Sequence, residues 1–121
     1  MYSKSSITTI AKILYNNKTN YWTGNNGRLF ETDFSRYHGL KYSVCVSNGS
    51  VALEMSLLAL GLKKNSAVIV TPRSFIISAS CVLNLGLRPI FADVDENGNL
   101  SIGGIKRVYN RNVKAIIIVH L

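Results

Sequence analysis

Cysteine, proline and acidic side chains are scarce in this sequence, and no long hydrophobic run interrupts it. Its two cysteines, Cys45 and Cys81, both lie inside apolar segments. A disulfide framework draws on more thiols and an oxidising compartment, and no Cys-x-x-Cys or His-x-x-x-His spacing offers a metal site. Two buried free thiols in a reducing, cytoplasmic setting are therefore expected. The longest apolar runs, such as Ala115–Val119, are far too short to cross a bilayer. The opening residues, Met1–Ser6, carry one lysine and lack the apolar stretch of a secretory signal, so no membrane partner is expected. Only 6 acids face 14 Lys and Arg, for a net charge of +8. That surplus would permit a nucleic-acid partner. The cations are thinly spread, however. Only Lys63-Lys64 and Lys106-Arg107 are adjacent, and neither pair is interleaved with aromatics. The expectation is a solvated basic surface, whose field would also suit a phosphate-bearing small molecule.

What the sequence does contain is core-forming material: 47% of its 121 residues are hydrophobic, which fits a globular domain or part of one rather than a disordered tail. Ile7, Ile10, Ala11, Leu14 and Tyr15 recur at three- and four-residue spacing and predict a helix ending near Asn16-Asn17. Lys18–Gly27 reads as a loop around Tyr21 and Trp22. Leu29, Phe30, Phe34 and Tyr37 predict a second helix that stops at His38-Gly39. From Lys41 the pattern becomes a regular alternation. Strands are predicted at Tyr42–Ser47, Ala67–Thr71, Pro89–Val94 and Ala115–His120, and helices at Ser50–Leu62, Ser74–Leu85 and Ile102–Tyr109. Near-continuous apolar strands alternating with helices indicate an α/β fold with a parallel sheet covered on both faces.

The stretch Val44–Leu53 organises this pattern. Val44-Cys45-Val46 reads as the end of a strand, Ser47-Asn48-Gly49-Ser50 as a tight turn in which Ser supplies a capping hydroxyl, and Val51 onward as helix. A strand feeding a helix through small residues leaves backbone N–H groups pointing outward, either as an anion site or as an ordinary cap. The segment matches neither the Gly-x-Gly-x-x-Gly dinucleotide pattern nor a P-loop.

In open α/β sheets ligands sit outside the carboxyl ends of the strands. Ser47–Val51, Thr71–Phe75 and His120 fall at such ends. Phe75 is read as core packing or as a ligand platform. His120 and His38 have no evident catalytic partner, and Asp93 and Asp95 fall where a strand turns, which favours a turn-forming role.

Several blocks occur in a telling order: Tyr21-Trp22-Thr23-Gly24, Gly27-Arg28-Leu29-Phe30-Glu31, Ser47–Leu53, Val68–Phe75, Pro89–Asp95 and Ala115–Leu121. Together they resemble the front of a sugar aminotransferase of the DegT/DnrJ/StrS type. The resemblance covers roughly residues 7 to 121. It implies the N-terminal part of the parallel-sheet large domain of a fold-type-I transferase dependent on pyridoxal 5′-phosphate. Residues 1–40 would form N-terminal helices and a loop, and 41–121 a partial cofactor-binding domain of βαβαβαβ order. The implied function is amino transfer, usually from glutamate, to a keto group on a nucleotide-linked sugar in polysaccharide biosynthesis, by a homodimer.

By the same resemblance Gly49, Ser50 and Val51 cradle the cofactor phosphate and Phe75 stacks on its ring. No catalytic residue is implied within the chain, because the family's Schiff-base lysine and the aspartate on the pyridine nitrogen both follow the Val-His-Leu strand. None of the lysines present stands in the family's lysine context. Two departures stand out: Asn65-Ser66-Ala67 replaces a Gly-Asp-Glu common in the family, and Ile77 stands where a small residue is common. In the family sheet the strand matching Tyr42–Ser47 is separated from the other three by strands formed later. The middle position among those three belongs to Ala67–Thr71. The expectation is an N-terminal piece that is inactive and marginally stable alone. The alternatives are a non-catalytic remnant or half of a split enzyme that binds phosphate or a partner chain, and a small basic nucleotide or nucleic-acid binder.

Overall fold

A computed structural model describes residues 3–73 and 75–120 of the chain. These fall into two compact units, Met1–Cys45 and Val46–Leu121, each taken here by itself.

The first unit holds α1 (Lys4–Tyr15) and α2 (Asn26–Tyr37). Ser3 starts α1 by accepting the Ser6 N–H at 3.1 Å, and the chain leaves through Asn17 at φ 51°. The intervening loop is tied by one side chain: Asn20 Oδ1 accepts the N–H groups of Trp22 and Thr23 and the Thr23 hydroxyl. α2 ends as its sequence predicts, with Gly39 at φ 64° and the Leu40 N–H returning to Ser35 O at 2.8 Å. Neither helix buries a residue, so the apolar stripes that predicted them stay exposed among the described residues.

The second unit runs α3 (Gly49–Ala59), β1 (Ala67–Val70), α4 (Ile77–Asn84), β2 (Arg88–Phe91), α5 (Ile102–Val108) and β3 (Val113–Ile116). The strands form one parallel sheet in the order β2-β1-β3, so β1 lies in the middle as expected. All four residues of β1 are fully buried because both faces are covered. Val68 and Val70 point to one side, where Leu53 and Leu57 of α3 and Ile77, Cys81 and Val82 of α4 pack. Ala67 and Ile69 point to the other, against Ile105 and Val108 of α5. Ile77 thus joins the core cluster at the start of α4.

The expected strand at Tyr42–Ser47 does not form, and the observed order lacks the first β of βαβαβαβ. An extended segment becomes a strand only where a neighbour accepts and donates its backbone hydrogen bonds. Here the Cys45 N–H goes instead to Glu31 Oε1 at 2.7 Å, and Tyr42 and Val44 are 75% and 70% exposed. The other strands are shorter than predicted, four residues each. Helix α4 begins at Ile77 rather than at Ser74, which lies outside the described residues.

Candidate functional site

Parallel βα units place every helix start near the carboxyl end of a strand, so the groups able to bind a ligand gather at one edge of the sheet. Two such groups come from the second unit. The first is the start of α3. Asn48, extended at φ −166° and ψ 172°, is the cap, and its Oδ1 accepts the Val51 N–H at 3.0 Å. The cap is therefore Asn48 rather than a serine, and Ser50 already lies inside the helix. The pattern was present in the sequence as an Asn three residues before Val51.

This cap divides the predicted cradle. The Val51 N–H is engaged by Asn48. The N–H groups of Gly49 and Ser50 and the Ser50 hydroxyl have no partner among the described residues. A side chain built at Gly49 would meet nothing within 4 Å, so the approach to these donors is open. Two unpaired N–H groups at the positive end of a helix are suited to an anion.

The second group follows β1. Thr71 is buried, and its Oγ1 accepts the Arg73 N–H at 3.2 Å, bending the chain at Pro72 and Arg73. Phe75, beyond this bend, is 64% exposed. Core packing, one of its two readings, is thereby excluded within this chain, and the ring is free to serve as a platform.

The remaining candidates are structural. Asp95 Oδ1 accepts the N–H groups of Asn97 and Asn99 at 3.0 and 2.9 Å, and Asp93 pairs with Arg107 while its carbonyl receives the Ser101 hydroxyl. The Asp95 side chain shapes the turn, as its place at the strand end predicted, whereas the Asp93 side chain pairs with α5 and only its backbone carbonyl takes part in the turn. His120 is exposed, and His38 caps α2 with its ring against Phe34 at 4.4 Å. No group of three metal-binding side chains exists among the described residues. Burial pushes the Cys81 thiol above its ordinary pKa and keeps it neutral. None of the eight lysines lies on the loops that follow β1 or β2 or on the segment leaving β3.

In the first unit a cleft of about 420 Å³ is lined by Tyr21, Arg28, Glu31, Lys41 and Tyr42 among others. Sequence reasoning passed over the residue at its centre. Glu31 receives the Cys45 N–H on one oxygen and the Tyr21 hydroxyl, at 3.3 Å, on the other. A helix carboxylate ten residues after a loop tyrosine gives no distinctive spacing, so only the fold reveals this tie.

Comparison with known proteins accords with this geometry. GDP-perosamine synthase of Vibrio cholerae is 33% identical over 104 residues, 83% of this chain and 28% of its own length. The solved aminotransferase of Psychrobacter cryohalolentis is 40% identical and superposes with a TM-score of 0.90, over 100% of this chain and 31% of that one. An Escherichia coli GDP-4-keto-6-deoxy-D-mannose-3-dehydratase, solved with bound hydrated pyridoxal 5′-phosphate, gives a TM-score of 0.83 at 27% identity, over 98% and 32%. The chain thus spans about a third of the length of the proteins it matches. With residues 2–121 matching throughout, the chain belongs to the DegT/DnrJ/EryC1/StrS aminotransferase family.

Proposed function

We propose that this chain is the N-terminal portion of a pyridoxal 5′-phosphate-dependent aminotransferase that acts on a nucleotide-linked keto sugar, with glutamate as amino donor and a homodimer as the working form. The observation that carries the reading is the start of α3, where Gly49 and Ser50 present free N–H groups behind an open approach. These residues and the Ser50 hydroxyl would hold the cofactor phosphate, and Phe75 would flank its ring. The cofactor, when bound, supplies an electron sink for the chemistry at the amino-bearing carbon. Val51 contributes through the cap: its N–H holds Asn48 and so fixes the helix start. The buried neutral thiol of Cys81 suits a reducing, cytoplasmic setting.

The cofactor lysine of the full enzyme belongs, in this reading, to a part not among these 121 residues, because the carboxyl edge of the sheet offers none. The chain by itself should therefore bind the phosphate weakly and turn nothing over. A helix-terminus anion contact is worth on the order of 1 kcal/mol, far below what a complete cofactor pocket supplies.

Titration with pyridoxal 5′-phosphate, inorganic phosphate and phosphate-free pyridoxal, followed by amide NMR, tests this. The Gly49 and Ser50 resonances should move with the first two ligands only. The Gly49→Val/Ser50→Ala variant should lose the effect. Unchanged phosphate affinity in that variant would remove the cradle from the argument. A stoichiometric covalent cofactor–lysine adduct with turnover in the 121-residue chain would overturn the account of the missing lysine.

A further inference from the structure

Asparagine and aspartate cap helices about equally well, and the helix dipole further favours a negative charge at the start. For the folding of α3 alone, either would serve at position 48. The chemistry of the site separates them. Asn48 Oδ1 accepts the Val51 N–H at 3.0 Å, and Asn48 Nδ2 donates to Ser47 Oγ at 3.2 Å. A carboxylate has the same shape and keeps both contacts, because the Ser47 hydroxyl can turn and donate to the second oxygen. Only the charge differs.

That charge would fall beside the donors that the cap leaves free. The Asn48 side chain reaches forward to the N–H of Val51, past the N–H groups of Gly49 and Ser50, which have no partner among the described residues. The turn it spans is about 5 Å long. No acid stands in the first turn of α3; its one acid, Glu54, lies further along and accepts the Asn84 side-chain amide at 2.8 Å. The start of α3 is thus capped by a polar but uncharged group, and no carboxylate of its own first turn offsets its positive end.

We propose that Asn48 sets the affinity of the α3 start for the cofactor phosphate by capping the helix with a neutral group. Its amide fixes the backbone through Val51 and adds no charge to repel a phosphate of about −1.5 to −2. Asn48 is a positioning residue: it holds the donors in place and acts on the ligand through them. The proposal rests on the reading of Gly49 and Ser50 as the phosphate cradle.

Three single variants of the 121-residue chain test it. Each is titrated with inorganic phosphate while the Gly49 and Ser50 amide resonances are followed, and each is melted under circular dichroism. Asn48→Asp should keep or raise the Tm and weaken phosphate binding about tenfold, the effect in water of one unit charge about 5 Å from such an anion. Asn48→Ser restores a neutral cap and should bind within about threefold of the unaltered chain. Asn65→Asp adds the same charge in the loop leading into β1, at the opposite edge of the sheet, where φ 64° tolerates aspartate. It should change binding less than about twofold. Equal affinity in Asn48→Asp and the unaltered chain would overturn the proposal and leave the cradle standing. Equal losses from Asn48→Asp and Asn65→Asp would reduce the effect to net charge, and weaker binding with a Tm lowered by about 5 °C or more would reduce it to a damaged helix start; either overturns the proposal. An unaltered chain whose Gly49 and Ser50 resonances ignore phosphate would remove the cradle itself, and the role of Asn48 with it.

Discussion

Two neighbouring glycines in α5 should respond in opposite directions to the same substitution. Gly103 is exposed, and a Cβ there would meet nothing within 4 Å. Gly104 is buried, and its Cβ would strike the backbone carbonyl oxygen of Asp93 and lie 2.7 Å from the Asp93 nitrogen and 2.9 Å from Ser101 Oγ. The obstacle is largely main chain, which cannot swing aside as a side chain would. α5 must then lift from the end of β2, taking Ile105 and Val108 off Ala67, Ile69 and Val113. Overpacking of this kind costs about 3 kcal/mol. Loosening the cap bond from the Gly104 N–H to Ser101 Oγ, 2.9 Å long, adds about 1 kcal/mol, and the better helix propensity of alanine returns about 1 kcal/mol.

Gly104→Ala should therefore destabilise the second unit by about 3 kcal/mol and lower its Tm by about 10–20 °C. Gly103→Ala, with the propensity gain alone, should stabilise it by about 0.5–1 kcal/mol. A unit of this size has about 4–11 kcal/mol in total, so both variants should remain measurable. Urea unfolding followed by circular dichroism reads the difference. Two substitutions of the same sign, or a gap below about 1 kcal/mol, would refute the close approach of α5 to Asp93.

Two further outcomes are expected. Hydrogen exchange should find Tyr42–Val46 among the least protected segments and Ala67–Val70 the most, and Glu31→Ala should expose the Cys45 amide further at a cost of about 1–3 kcal/mol; protection of 42–46 equal to that of β1 would contradict the absence of a ladder there. Because burial raises the Cys81 pKa, the unfolded chain releases that proton at a lower pH than the folded one, so stability should be full below the ordinary thiol pKa and fall as pH rises above it; Cys81→Ala should flatten this alkaline limb in a pH series of unfolding curves, and an unaltered slope would count against a buried neutral thiol.

The elements legible in advance were those whose signal is local. The stop of α2 at Gly39, the Asp95 turn and the apolar run of β1 each depend on residues a few positions apart, and each stands where the pattern put it. The start of α3 was legible to the same degree: small residues between Val46 and Val51 marked a helix start. That Asn48 would take the Val51 N–H, leaving the donors of Gly49 and Ser50, depended on a backbone conformation that several small residues could equally have adopted. The Tyr42–Ser47 segment shows the opposite case. Its apolar residues satisfy the local requirement of a strand, but a strand is a relation between segments, and no partner pairs with it.

Amino-acid order by itself determined the α/β class and the approximate positions of the helices, because hydrophobic periodicity and turn chemistry act over one or two turns of chain. Ordered blocks of residues pointed to the family, and the middle place of the 67–70 strand came only through that resemblance. The tertiary structure alone decided which distant groups meet. It tied Glu31 to Cys45, set Gly104 against Asp93 and laced together the three loops that lead into the strands. Parallel strands about 5 Å apart bring loops separated by more than twenty residues into contact, and spacing along the chain carries no record of that proximity.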